Sequence, residues 1–162
     1  MSAEIRGLPP GELLASNATA NVRVFTLGYQ GRSVREVLEI LQNCRVEQVV
    51  DVRENAQSRK PGFSSSELEI ALTSVGIAYV HLPQLGCERE SRHALWRGAP
   101  AADFLDQYRR KIAENRDSLT DLTRLVRGTR SILLCLERDP CRCHRVVLGE
   151  KLRAEGFLVQ DL

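Results

Sequence analysis

Residues 130–162 read "RSILLCLERDPCRCHRVVLGEKLRAEGFLVQDL", which lays out a strand, a turn, a helix and a second strand in one run. The apolar "RSILLCLE" (130–137) predicts a buried strand. "CHRVVLGEKLRAEG" (143–156) predicts a helix stopped by Gly156, and "FLVQDL" a terminal strand. Upstream the alternation repeats. "VRVFTLGY" (22–29), "VEQVVDVR" (46–53) and "IAYVHL" (77–82) predict three more strands from their branched and aromatic residues. Between them, "SVREVLEILQNC" (33–44) places Val34, Val37, Leu38 and Leu41 at helical spacing behind Ser33, a fitting N-cap. "SSSELEIALTSVG" (64–76) has Ser64 and Glu67 in capping-box spacing and Gly76 as its stop. Pro83 to about Pro100 reads as a long irregular segment, followed by helical patterns over 101–116 and 119–126, the latter ended by Gly128.

Repeated strand–helix alternation predicts an α/β fold. We expect a single-domain three-layer sandwich over residues 22–162, with a mostly parallel, Rossmann-like sheet of about five strands. Residues 1–21 predict a flexible leader with no clear export signal. A length of 162 residues suits one domain with a substantial core, and 43% hydrophobic with 27% charged residues describes an ordinary globular protein. No apolar run approaches the roughly 18 residues a membrane span needs. Five cysteines, odd in number and unevenly clustered, point to a reducing cytoplasm rather than a disulfide framework. A net charge of +2 gives little global attraction to nucleic acid, yet 20 of the 23 basic residues are arginine. Arginine offers a planar, two-pronged donor that fits phosphate or carboxylate oxygens.

Ligands of open parallel sheets bind beyond the carboxyl ends of the strands. The segments expected there are "GYQGRS" (28–33), "DVRENAQSRKPGF" (51–63), "HLPQLGCERESRH" (81–93) and "CLERDPCRCHR" (135–145), which hold all three histidines and four of the five cysteines. In the first, Gly28, Tyr29 and Gly31 form a turn that would let an anion approach the backbone at a helix N-terminus. In the second, Asp51 is expected beside Arg53, either as a charge pair closing the sheet end or as a catalytic carboxylate. Ser58, Arg59, Lys60 and an exposed Phe63 suit a phosphate with a stacked base. His81 ends the third strand, and His93 and Trp96 fall in a loop of a length common in binding loops. "CERESR" (87–92) is superficially similar to the active loop of rhodanese sulfurtransferases, but Cys87 sits well inside a loop rather than directly after a strand.

For a metal, Cys135, Cys141, Cys143 and His144 offer C-x5-C-x-C-H, not the two separated pairs usual in structural zinc. Cys143 and His144 would diverge once a helix begins, so no stoichiometric zinc is expected. Nor does any cofactor fingerprint occur. A Cys135 disulfide to Cys141 or Cys143 is conceivable but runs against a reducing compartment. A thiolate remains: Cys143 at the start of the last helix, flanked by Arg142 and Arg145, is expected to be reactive and Cys135 shielded. His144 and Glu137 would move protons, with Arg145 holding an anion.

Taken together, "TLGYQ" (26–30), "VVDVR" (49–53), "SRKPGF" (58–63), "GIAYVHLPQLG" (76–86), "LLCLE" (133–137) and "CHR" (143–145) resemble the family of domain of unknown function 488 over about residues 22–162. The resemblance implies a compact α/β fold with these motifs at one end of the sheet. It supplies no reaction. Tyr29-Gln30 stands where the family often has His-Ser, so a turn histidine is not available for proton transfer. Cys87 stands where a second glycine is common, so its thiol is not expected to serve shared chemistry.

These features make the expected function that of an intracellular enzyme acting on a phosphate-bearing substrate, a nucleotide or nucleic acid. The expected catalytic groups are Asp51, Glu137, Cys143 and His144. Gly28, Tyr29, Arg53, Ser58, Arg59, Phe63, His81 and Arg145 are the expected substrate or anion contacts. The alternatives are a non-catalytic binding module on the same rim and a thiol-redox or sulfur-transfer protein. The sequence sets no oligomeric state.

Overall fold

The structure, a computed structural model, describes residues 23–162, so the expected leader lies outside it. Five strands form one sheet: β1 (Arg23–Gly28), β2 (Gln48–Asp51), β3 (Ala78–His81), β4 (Ser131–Cys135) and β5 (Leu158–Asp161). They pair in the order β3-β2-β4-β1-β5, and every pairing is parallel. The helices are α1 (Val34–Asn43), α2 (Ser65–Thr73), α3 (Arg89–Trp96), α4 (Ala101–Glu114), α5 (Arg116–Val126) and α6 (Arg145–Ala154). The fold is therefore the Rossmann-like α/β sandwich that the alternation predicts.

Strand composition follows position in the sheet. All five residues of central β4 are buried, because helices cover both of its faces. Edge strand β5 leaves most of its residues exposed. Side chains alternate across the sheet with the strand period of two. Ile132 and Leu134 join Phe25, Leu27 and Val49 beneath α1 and α2. Leu133 and Cys135 join Val24 and Val50 beneath α3 through α6.

Parallel crossovers are right-handed, so the direction of each connection selects its face. The chain moves outward from β1 through β2 to β3, with α1 and α2 on one face. It then returns to β4 and onward to β5, with α3 to α6 on the other. Neighbouring strands β2, β4 and β1 thus leave the sheet toward alternating faces. Crevices open between their carboxyl ends.

Local signals behave as expected at most element ends. Ser33 and Glu36 make a reciprocal capping box on α1, worth about 1 kcal/mol. Ser64 precedes α2, but its hydroxyl donates to Glu67 and caps no backbone N–H. Two differences bear on function. The segment expected to be irregular contains α3, and the last helix begins at Arg145 after a 3-10 turn over Pro140–Arg142.

Candidate functional site: an arginine-lined cleft at the carboxyl rim

An open cleft of about 580 Å3 lies beyond the carboxyl ends of β1, β2 and β4. Tyr29, Arg53 and Cys135 form its floor, the 55–59 loop one wall and α3 the other. Arg89, Arg92, His93 and Trp96 reach it from α3 because they follow one another at i, i+3, i+4 and i+7, a single helical face. Four arginines (Arg53, Arg59, Arg89 and Arg92) line the cleft, with no carboxylate among its lining residues. Arg92 also has a buried Nε without a hydrogen-bond partner among the described residues. Trp96 is 54% exposed, stacks on His93 at 5.4 Å and lies under the Arg92 guanidinium. A second cleft of about 400 Å3 shares Trp96 and is also lined by Gln30, Glu137 and Arg142. Cationic walls beside an exposed aromatic ring suit an anion attached to a planar group.

The two acidic candidates separate in role. Asp51 is fully buried, and its carboxylate accepts from Arg53 Nε at 2.8 and 3.0 Å and Nη2 at 2.5 Å. It also accepts from the Tyr79 hydroxyl at 2.7 Å. Burial alone would lower the pKa of Arg53, but the hydrogen bonds and charge of Asp51 outweigh it and leave the guanidinium more firmly protonated. Arg53 Nη1 reaches the Tyr29 hydroxyl and the Phe63 carbonyl, each at 2.9 Å. Of the two roles open to Asp51, the geometry favours the charge pair closing the sheet end. Glu137 differs. It is 8% exposed, borders the smaller cleft, accepts from Cys135 Sγ at 3.2 Å, and keeps Oε1 without a partner among the described residues.

Several expected contacts turn out to be framework. Phe63 is wholly buried and stacks on Tyr29 at 4.2 Å, so it is no exposed platform for a base. Gly28 does face a close approach, but the approaching group is the chain itself: a Cβ there would meet the Glu137 carbonyl oxygen at 1.7 Å. Arg145 is wholly buried, donates to that same carbonyl at 2.6 Å and lies 3.6 Å from Asp161. It clamps β1, β4 and β5 together rather than facing the cleft. His81 Nε2 donates to the Arg53 carbonyl at 2.8 Å and braces the loop that carries Arg53. Ser58 and Arg59 do line the cleft, Ser58 within a turn whose Lys60 N–H its hydroxyl accepts.

Cys143 is not the expected thiolate. It is extended, one residue before the N-cap His144, and only 1% exposed. A helix N-terminus contributes about 0.3–1 kcal/mol to a nearby anion, whereas burial of a charge shifts pKa by up to several units. Burial, with Cys135 adjacent, pushes the Cys143 thiol well up, and Arg145 only partly opposes this. Burial likewise pushes Cys87 up to about 12 and lowers His144 to about 4, so that ring is neutral near pH 7. In native protein Cys141, the exposed cysteine, should therefore alkylate first. Cys135 and Cys143 should label together and only on opening. Rapid native labelling of Cys143, read by mass spectrometry, would contradict this burial.

The expected divergence of Cys143 and His144 does not occur either. Cys143 is extended, which turns its side chain back toward β4. As a result Cys135 Sγ, Cys143 Sγ and a His144 ring nitrogen all lie within 4.8 Å of one another.

Arg89 and Arg92 are absent from the expected contacts, and His93 and Trp96 are expected in a binding loop rather than on the helical face that carries them. Their helical spacing was the available signal, obscured because Pro83, Gly86 and Gly98 make the surrounding segment look irregular.

A family model described as domain of unknown function DUF488 matches residues 33–152. No curated protein and no solved structure gives a significant match.

Proposed function

The chain belongs to the family of domain of unknown function DUF488, whose description assigns no reaction, so we propose from the cleft itself that it is an enzyme acting on a nucleotide or nucleic acid. The observation that carries this reading is the pairing of arginines with exposed Trp96 in a cleft without lining carboxylates. Phosphate oxygens would take the donors of Arg92, Arg89 and Arg59, and a base would stack on Trp96. Glu137 is the carboxylate placed to move a proton, because it is buried beside the cleft with one oxygen unpartnered. The thiol-redox alternative loses ground because Cys135 and Cys143 are both buried. Among the described residues no helix is long and apolar enough to cross a membrane. Free cysteines at all five positions agree with a cytoplasmic setting.

Trp96 is the only tryptophan of the chain, so its fluorescence reports on the two adjoining clefts that it lines and on no other part of the protein. Mononucleotides and short single-stranded oligonucleotides should each be titrated while its emission is followed. Quenching is expected, with affinity falling at least about tenfold in Arg92→Ala, since a charged hydrogen bond contributes about 1.5–3 kcal/mol. Unchanged emission with both probes, or unchanged affinity in Arg92→Ala, would remove the reading. Turnover lost in Glu137→Gln with binding retained would separate an enzyme from a binding module.

A further inference from the structure

We propose that Cys135, Cys143 and His144 bind one divalent metal ion of the zinc class, with the fourth coordination position open toward Glu137 and the clefts. Cys135 comes from the end of β4, while Cys143 and His144 precede α6. Their ligand atoms lie within 4.8 Å of one another. A tetrahedral zinc with sulfur at about 2.3 Å and nitrogen at about 2.0 Å holds ligand atoms roughly 3.5–3.8 Å apart. Cys143 Sγ and His144 Nδ1 already stand 3.8 Å apart, so only a small inward shift of Cys135 is needed.

The histidine is set for ligation. Its Nε2 lies 2.8 Å from the Val52 carbonyl oxygen, which can only accept, so Nε2 must carry the proton. Nδ1 is then bare, and its lone pair is on the side of Cys143. Bracing of one ring nitrogen by a backbone carbonyl is the usual second support of a metal-bound imidazole. Tyr108 packs against the ring at 5.0 Å and holds its plane.

Charge and surroundings agree. Two thiolates and a dication sum to zero, which suits a site whose three ligands are each 1% exposed. On loading, two S–H bonds break and two metal–sulfur bonds form, and the protons pass to solvent. Glu137 is the independent observation. Its carboxylate is more than nine-tenths buried, has Oε1 unpartnered among the described residues, and has Oε2 3.2 Å from Cys135 Sγ. A buried oxygen without a donor calls for an occupant, and a water or substrate atom at the open position would supply one. Cys135 lines the larger cleft and Glu137 the smaller, which gives an ion its entry path. Three protein ligands and an open position are the arrangement of catalytic rather than structural zinc.

The test uses the full chain, stripped with chelator, dialysed and loaded with Zn2+ or Co2+. One ion per chain is expected, with release of about two protons per ion. Cobalt should show thiolate-to-metal charge-transfer absorption. X-ray absorption of the zinc form should find two sulfurs at about 2.3 Å and nitrogen or oxygen at about 2.0–2.1 Å. A Cys44→Ser/Cys141→Ser variant, lacking the two more accessible thiols, should keep all of these signals. Cys143→Ala should lose the stoichiometric ion. Should that variant misfold, the absorption measurement on the unaltered chain still decides. Less than one ion per chain, a shell without sulfur, or loss of the ion in the Cys44/Cys141 variant would each overturn the site. None of these readouts uses a nucleotide, so failure here is distinct from failure of the cleft to bind one.

Discussion

Replacing Asp51 by alanine is expected to lower folding stability by about 3–5 kcal/mol, as removal of one member of a buried ion pair does. The change leaves Arg53, 3% exposed, charged in the interior with its Nε and Nη2 donors unanswered. It also strips the Tyr79 hydroxyl of its acceptor. Against a typical total of about 5–15 kcal/mol, the loss is roughly a fifth or more of what keeps a domain folded. Removing both charges, in Asp51→Ala/Arg53→Met, should recover much of the loss, because the uncompensated charge goes with its partner. Urea denaturation of the single and double variants measures both. A single variant as stable as the parent would mean that Asp51 is held for chemistry rather than for closing the sheet.

Gly28→Ala should be nearly as damaging, at about 3 kcal/mol, the upper end of the usual overpacking range. Its Cβ would stand 1.7 Å from the Glu137 carbonyl oxygen and 2.7 Å from Arg145 Nη1. Both are fixed: the carbonyl is backbone, and Arg145 is wholly buried. The new methyl must therefore push β1 from the β4 turn, and with it Cys135 and Glu137 at the cleft. Gly128→Ala is the comparison. It has a φ of +79° with nothing within 4 Å of the added carbon, so it bears only the left-handed strain of about 1–2 kcal/mol. A larger loss at Gly128 than at Gly28 in the same denaturation series would refute the close approach. If Gly28 instead made room for an anion, alanine would weaken phosphate binding and leave stability intact.

Much of this architecture was legible in the linear chain because its causes act over a few residues. Hydrophobic alternation and helical spacing depend on neighbours one to four positions away, which is why all five strands and the N-cap Ser33 were legible, whereas the capping box expected at Ser64 and Glu67 forms instead at Ser33 and Glu36. Asp51 and Arg53, two apart at a strand end, project to the same side, so their pairing could be expected from position alone. The parallel sheet followed from the connections, and its carboxyl rim from the direction of the strands.

What the sequence alone determined is therefore the set of elements, their order and the edge of the sheet where reactive side chains gather. Which of those side chains meet solvent was decided by tertiary structure. Phe63, Cys143, His144 and Arg145 all fall in or beside polar loops, yet each is buried, because elements far away in the chain cover them. Tyr108 of α4 lies over His144, and Asp161 of β5 sits by Arg145. Desolvation by those distant partners reverses the local electrostatics that would have ionised Cys143. The same long-range packing turns Cys135, Cys143 and His144 toward one point and sets the cationic face of α3 against the strand ends. Charge and propensity are read from neighbours, but burial is a property of the whole fold, and burial sets the chemistry of this rim.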